Sequence, residues 1–92
     1  HAFQFSEGLS LSVSCADQAE VDHFWNGLTA DGGQESMCGW LKDQFGFSWQ
    51  IVPKRLIQLM SDPDPMKAQK VVQAMMRMQK IVIEDLEKTY QS

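Results

Sequence analysis

No apolar run in this 92-residue chain is longer than three residues, Ile81-Val82-Ile83 being typical. A helix needs about 20 consecutive apolar residues to span a bilayer, so a helical membrane span is excluded and no membrane partner is expected. Positive charge is also scarce: eight Lys and Arg stand against twelve Asp and Glu, for a net charge of −4. Nucleic-acid binding draws on a basic face. The one recurrence of cations, Lys67, Lys70, Arg77 and Lys80, runs directly into acids. It reads as a solvated helix face, and no nucleic acid is expected as a partner. The two cysteines, Cys15 and Cys38, have neither CxxC nor metal-ligand spacing. Buried thiols in a cytoplasmic protein are expected rather than a disulfide, and no secretory pattern is visible. The chain opens on His1 rather than Met, so further residues upstream are expected.

What is present is apolar content without long runs. Hydrophobic residues make up 43% of the chain, with three Trp and five Phe, which suits one small globular domain. Residues 9–15, Leu-Ser-Leu-Ser-Val-Ser-Cys, alternate strictly and predict a strand. Leu9, Leu11, Val13 and Cys15 form its apolar face; Ser10, Ser12 and Ser14 form the other. Small hydroxyls in place of charges suit a concavity that holds something. Asp17 and Glu20 have the spacing of a capping box, and Val21, Phe24, Trp25 and Leu28 form one apolar helical stripe. Asp31-Gly32-Gly33 ends that helix.

A weak strand is expected over 34–37 and a better one over 38–42. The turn Asp43-Gln44-Phe45-Gly46 then leads to a strand over 47–52, ended by Pro53. The expected order is strand, helix, strand, strand, strand. The rest reads as helical. Leu56, Leu59 and Met60 give a short amphipathic stretch, and Asp64 and Pro65 open a longer helix. Ala68, Val71, Val72, Met75, Met76 and Met78 are expected to make its apolar face. Residues 81–83 read as extended, with a closing helix over 84–90.

Three blocks carry a family likeness. Residues 15–25, Cys-Ala-Asp-Gln-Ala-Glu-Val-Asp-His-Phe-Trp, come first. Residues 38–53, Cys-Gly-Trp-Leu-Lys-Asp-Gln-Phe-Gly-Phe-Ser-Trp-Gln-Ile-Val-Pro, are the most specific. The tail Leu59-Met-Ser-Asp-Pro-Asp-Pro65, with Ala74 to Met78 and Lys80-Ile81, completes the set. Together they resemble the PhnB-like, 3-demethylubiquinone-9 3-methyltransferase-like branch of the glyoxalase, bleomycin resistance and dihydroxybiphenyl dioxygenase (vicinal oxygen chelate) superfamily. The resemblance implies an α+β fold: one βαβββ module over 9–53, a linker or arm over 1–8 and a C-terminal helical extension over 54–92. Such proteins pair two modules around a cavity. This chain therefore resembles a second module, to be completed by a homodimer or by a missing N-terminal module.

Metal-dependent members of the superfamily resemble one another in a His or Gln on the first strand and a Glu on the last. The matching positions here are Ser10 and Gln50, poor donors for a hard divalent cation. No metal site or other cofactor is expected. Ser10, Ser12, Ser14, Ser48 and Gln50, with Trp40 as a wall, are the candidate ligand pocket. Glu35 is the acid placed nearest that cup, and is read as an edge charge. His23 is read as a surface histidine and Asp43 as a turn residue. No glycine-rich loop suggests a nucleotide or adenosylmethionine site, so methyl transfer is not expected. Three readings follow: a dimeric protein binding a small organic ligand; a metal-dependent isomerase, lyase or dioxygenase; and an assembly module with no ligand.

Overall fold

The computed structural model describes residues 10–92; the proposed arm over 1–8 and Leu9 lie outside that range. The alternating segment forms strand β1 (Ser10–Cys15), followed by helix α1 (Gln18–Thr29). Asp17 caps α1 by accepting from the Glu20 N–H at 3.0 Å, and Glu20 returns the bond by accepting from the Ala16 N–H. Because Glu20 reaches the N–H one residue before the N-cap, this is a variant of the capping box, with Asp in place of Ser or Thr. Strands β2 (Gln34–Glu35), β3 (Trp40–Lys42) and β4 (Ser48–Pro53) complete the βαβββ order of an α+β module.

The sheet order is β1-β4-β3-β2. Strands β1 and β4 run parallel, with Ser12 opposite Gln50 and Val13 opposite Ile51. The β4–β3 and β3–β2 pairs are antiparallel, with Gln50 opposite Trp40 and Leu41 opposite both Trp49 and Glu35. One face buries Cys15, Ile51 and Leu41 against Val21 and Trp25 of α1, with Val13, Phe24, Leu28 and Trp49 packed around them. Leu11 shares that face by alternation but is exposed.

Several element bounds differ from the sequence expectation. Strand β3 starts at Trp40, not Cys38, because Cys38 and Gly39 take left-handed φ values of 61° and 83°. Their N–H groups bond the Met78 and Gln79 carbonyls, both at 2.8 Å, and so leave the ladder. A Cβ on Gly39 would lie 3.1 Å from both the Ile51 carbonyl oxygen and Ile81 Cγ1, so glycine fits both the turn and the packing. Cys38 is accordingly half-buried, whereas Cys15 is fully buried, and both thiols are free. Strand β2 spans two residues. Pro53 is the last residue of β4, opposite Cys15, and leads straight into α2 (Lys54–Met60).

Helix α3 (Pro65–Met76) is capped by Asp64, with Pro65 in its first turn. Val71 and Ala74 are its buried residues, while Met76 is 59% exposed and leaves the expected apolar face. Ile83 opens helix α4 (Ile83–Gln91) rather than continuing an extended run, because Val82 is the last extended residue before it. A second core cluster joins Leu56, Leu59, Val71, Ala74, Ile81 and Leu86, and Val52 packs against it from the opposite sheet face. No helix among the described residues is long and apolar enough to cross a membrane.

The two clusters are tied together through Gln18. Its amide nitrogen donates to the Ile81 carbonyl at 3.0 Å, and its amide oxygen accepts from the Ile83 N–H at 2.8 Å. The side chain thus pairs with the backbone of 81–83 much as a strand neighbour would. Removing one partner of a partly buried pair costs about 1–3 kcal/mol. Gln18→Ala is expected to lower the urea unfolding free energy by that order. Glu84→Ala, which removes the exposed Glu84–Lys88 pair and one of two acids in the first turn of α4, should cost less, about 0.5 kcal/mol. Equal midpoints for both variants would contradict this.

Candidate functional site

Alternation along β1, β3 and β4 sets one row of side chains on the face away from α1. Ser12, Gln50 and Trp40 lie in register straight across the three strands. The next row holds Ser48 opposite Ser10 on one side and Lys42 on the other. Ser10 is placed by its backbone alone; its side chain lies outside the described residues. Ser14 and Val52 share the third row, at the end where β4 runs into α2.

A cleft of about 320 Å³ opens on this face. Ser12, Ser14, Gln50 and Val52 form its sheet wall, and Leu56, Ile57, Met60 and Met75 form the wall opposite. Three of the sequence candidates, Ser12, Ser14 and Gln50, thus meet in one cavity. Trp40 and Ser48 lie on the same face but outside the cleft lining. The Ser12, Ser14 and Gln50 side chains make no hydrogen bond within the described residues. Their capacity is therefore free for a ligand or for water.

The apolar wall was not foreseen as part of the site. Leu56 and Met60 read as an amphipathic stretch and Met75 as core, and only the packing of α2 and α3 over the end of the sheet turns them toward the serines. Lys42 was also missed, although its two-residue spacing from Trp40 placed it on that face.

Glu35 does not belong to the cup. It pairs with Leu41, a residue of the α1 face, and accepts from Trp25 Nε1 at 2.8 Å. The edge strand turns it to the opposite side of the sheet. His23 is an exposed residue of α1 in edge contact with the Phe24 ring, their centroids 5.2 Å apart. Asp43 is the turn residue expected. Its Oδ1 accepts from the Phe45 and Phe47 N–H groups at 2.9 and 3.0 Å, and its Oδ2 from Trp49 Nε1 at 2.8 Å. Cys15 is inert by position: burial pushes its thiol pKa up, and the Glu20 and Asp17 charges add to this.

Those side chains do not fit a divalent cation. Gln50 lies opposite Ser12 rather than Ser10, so among the described residues the neighbouring donors are neutral hydroxyl and amide oxygens. Among the described residues no three His, Cys, Asp or Glu side chains come together. The β1–α1 passage is Ala16-Asp17, with no glycine.

The family model described as 3-demethylubiquinone-9 3-methyltransferase matches residues 1–52 of the chain, a span that takes in β1, α1, β2, β3 and all of β4 except Pro53. No curated protein matches the chain.

The groups with displaced pKa values lie outside the cleft, and acids dominate them. The Trp49 indole, then the turn N–H groups, hold the Asp43 carboxyl below its ordinary 3.8. Tyr90 does the same for Asp62, Lys80 for Asp22, and Arg55 for Glu87, whose ordinary value is 4.5. A carboxyl depressed in the folded state contributes stability that is present above its unfolded pKa and lost as pH falls through the folded one. The melting temperature should therefore hold above about pH 5 and fall progressively below pH 4. Asp43→Asn is expected to lower it at pH 7 and to flatten part of the acid decline; an unchanged acid limb would contradict the assignment.

Proposed function

The chain belongs to the 3-demethylubiquinone-9 3-methyltransferase family, and from that premise we propose a protein of the glyoxalase superfamily that binds a small organic ligand as a homodimer, without a metal of its own. The observation that carries this reading is the cleft. Free hydroxyl and amide groups of Ser12, Ser14 and Gln50 face an apolar wall of Leu56, Ile57, Met60 and Met75. A few polar groups set against a larger apolar surface suit a ligand with one polar edge and an apolar body. Methionine adapts its shape to such bodies at little cost. Ser48 and Trp40 extend the polar face beyond the cleft.

The family's description names a methyl transfer. The glycine-free β1–α1 passage offers no nucleotide loop, and on this reading the chain transfers no methyl group. The metal-dependent isomerase, lyase or dioxygenase reading would need donors that Ser12 and Gln50 do not supply. Stoichiometric Mn, Fe, Ni or Zn in protein purified without chelator would restore it.

The dimer rests on the edge of the sheet. Among the described residues strand β1 is paired on one side only, and its residues, Ser-Leu-Ser-Val-Ser-Cys, include no charge and no proline. Native proteins blunt such edges or cover them. The opposite edge, β2, is two residues long and ends in Glu35. A second copy laid along β1 would cover the open edge and enlarge the cup by symmetry. Light scattering at micromolar concentration should give about twice the monomer mass; a mass near 10.5 kDa would overturn the dimer.

Ligand binding has a separate test. A compound that binds only the folded state at 100 times its dissociation constant stabilises it by about 2.7 kcal/mol. Hits from a thermal-shift screen of small aromatic and aliphatic organics should lose their effect in Gln50→Leu, while that variant's own melting temperature changes little. Silence across the library would leave the assembly reading in its place.

A further inference from the structure

We propose that Lys42 selects for charge at this site, and that the ligand is a flat aromatic monoanion of the aryl carboxylate class; the inference rests on the small-molecule reading above. Lys42 and Trp40 are two residues apart on β3, with buried Leu41 between them facing α1. Both therefore project onto the polar face. Trp40 lies directly beside Gln50, and Lys42 beside Ser48, one pleat repeat or about 7 Å further along the strands. A ring resting against the Trp40 indole, with a polar edge at Gln50, brings an acidic substituent within reach of the lysine.

The charge pattern gives the sign. The chain carries a net charge of −4, yet the carboxylates nearest this face in sequence are turned from it. Glu35 is held by Trp25, and Asp43 by Trp49, both residues of the α1 side. Ion pairs among the described residues engage Arg55, Lys80 and Lys88. Lys42 has no ion pair or hydrogen-bond partner there. An unpaired ammonium whose nearest carboxylates in sequence, Glu35 and Asp43, are turned away favours an anion over a cation or an isosteric neutral compound.

The test uses the full chain with 2-naphthoate and its neutral isostere 2-naphthamide, read by calorimetric titration. Wild-type protein should bind the acid more tightly than the amide. Lys42→Gln should weaken the acid up to about five-fold, as expected for one exposed ion pair, and leave the amide unchanged. Lys42→Arg should keep the preference for the acid. Raising the salt concentration on wild-type protein should erode that preference in the same direction, a readout that does not depend on any variant folding. Equal affinity for acid and amide, or an acid preference untouched by both Lys42→Gln and salt, would overturn the role of Lys42 alone. Binding of neither compound would overturn it together with the aromatic ligand class, and silence in the broad thermal screen is what would remove the cleft reading itself.

Discussion

The side-chain amide of Gln18 is the joint on which the shape of this molecule depends. It stands at the first turn of α1, where backbone N–H groups are already served by Asp17, and it turns outward to bond residues 81 and 83. The extended stretch before α4 would otherwise present unpaired backbone groups beside the core. Beside it, Lys80 pairs with Asp22 at 2.9 Å, and the Cys38-Gly39 turn bonds Met78 and Gln79. Each of these links crosses between the βαβββ module and the residues after it. They fix the return of the chain along one end of the sheet.

That return decides where the helices lie. Arg55 of α2 forms a two-pronged pair with Glu87 of α4, one arm at 3.0 Å. The Tyr90 hydroxyl donates to Asp62 in the α2–α3 connection, and Lys67 stands 5.0 Å from the centre of the Tyr90 ring. These contacts are partly exposed and individually weak. Their effect is to hold α2, α3 and α4 around Leu56, Val71 and Leu86 as a unit. With Gln18 holding the start of α4, the unit closes the Val52 end of the polar face and leaves the Ser12–Gln50–Trp40 row open.

How much of this was legible in the sequence follows from the range of the interactions. Strand β1, the capping box, α1 and the Asp43 turn depend on neighbours within a few residues, and period and spacing revealed each of them. The polar row was legible in part for the same reason: alternation alone puts Ser12, Ser14 and Gln50 on one face. Glu35 was misplaced because a two-residue edge strand carries no period, and its partner Trp25 lies ten positions away. Strand β3 was overextended because nothing local marks Cys38 as left-handed; the cause is a pair of bonds to residues 78 and 79. The apolar wall of the cleft had the least signal. Ile57 and Met60 become a wall only once α2 has packed beside β4, α3 and α4.

The electrostatic stress among the described residues lies outside the cleft. Active sites concentrate displaced pKa values, because an acid or base must be tuned for its task. Here the displaced groups are Asp22, Asp43, Asp62, Glu87, Arg55, Tyr90 and Cys15, and each displacement has a partner or a burial that holds the fold together. None of them lines the cleft of Ser12, Ser14 and Gln50. A serine hydroxyl without a neighbouring base is a weak nucleophile, and a side-chain amide donates and accepts hydrogen bonds but does not ionise near neutral pH. The cleft can orient a molecule through its polar edge and desolvate its body. Among the described residues that line it there is no titratable side chain, and the proposed binding reading asks only for such orientation and desolvation.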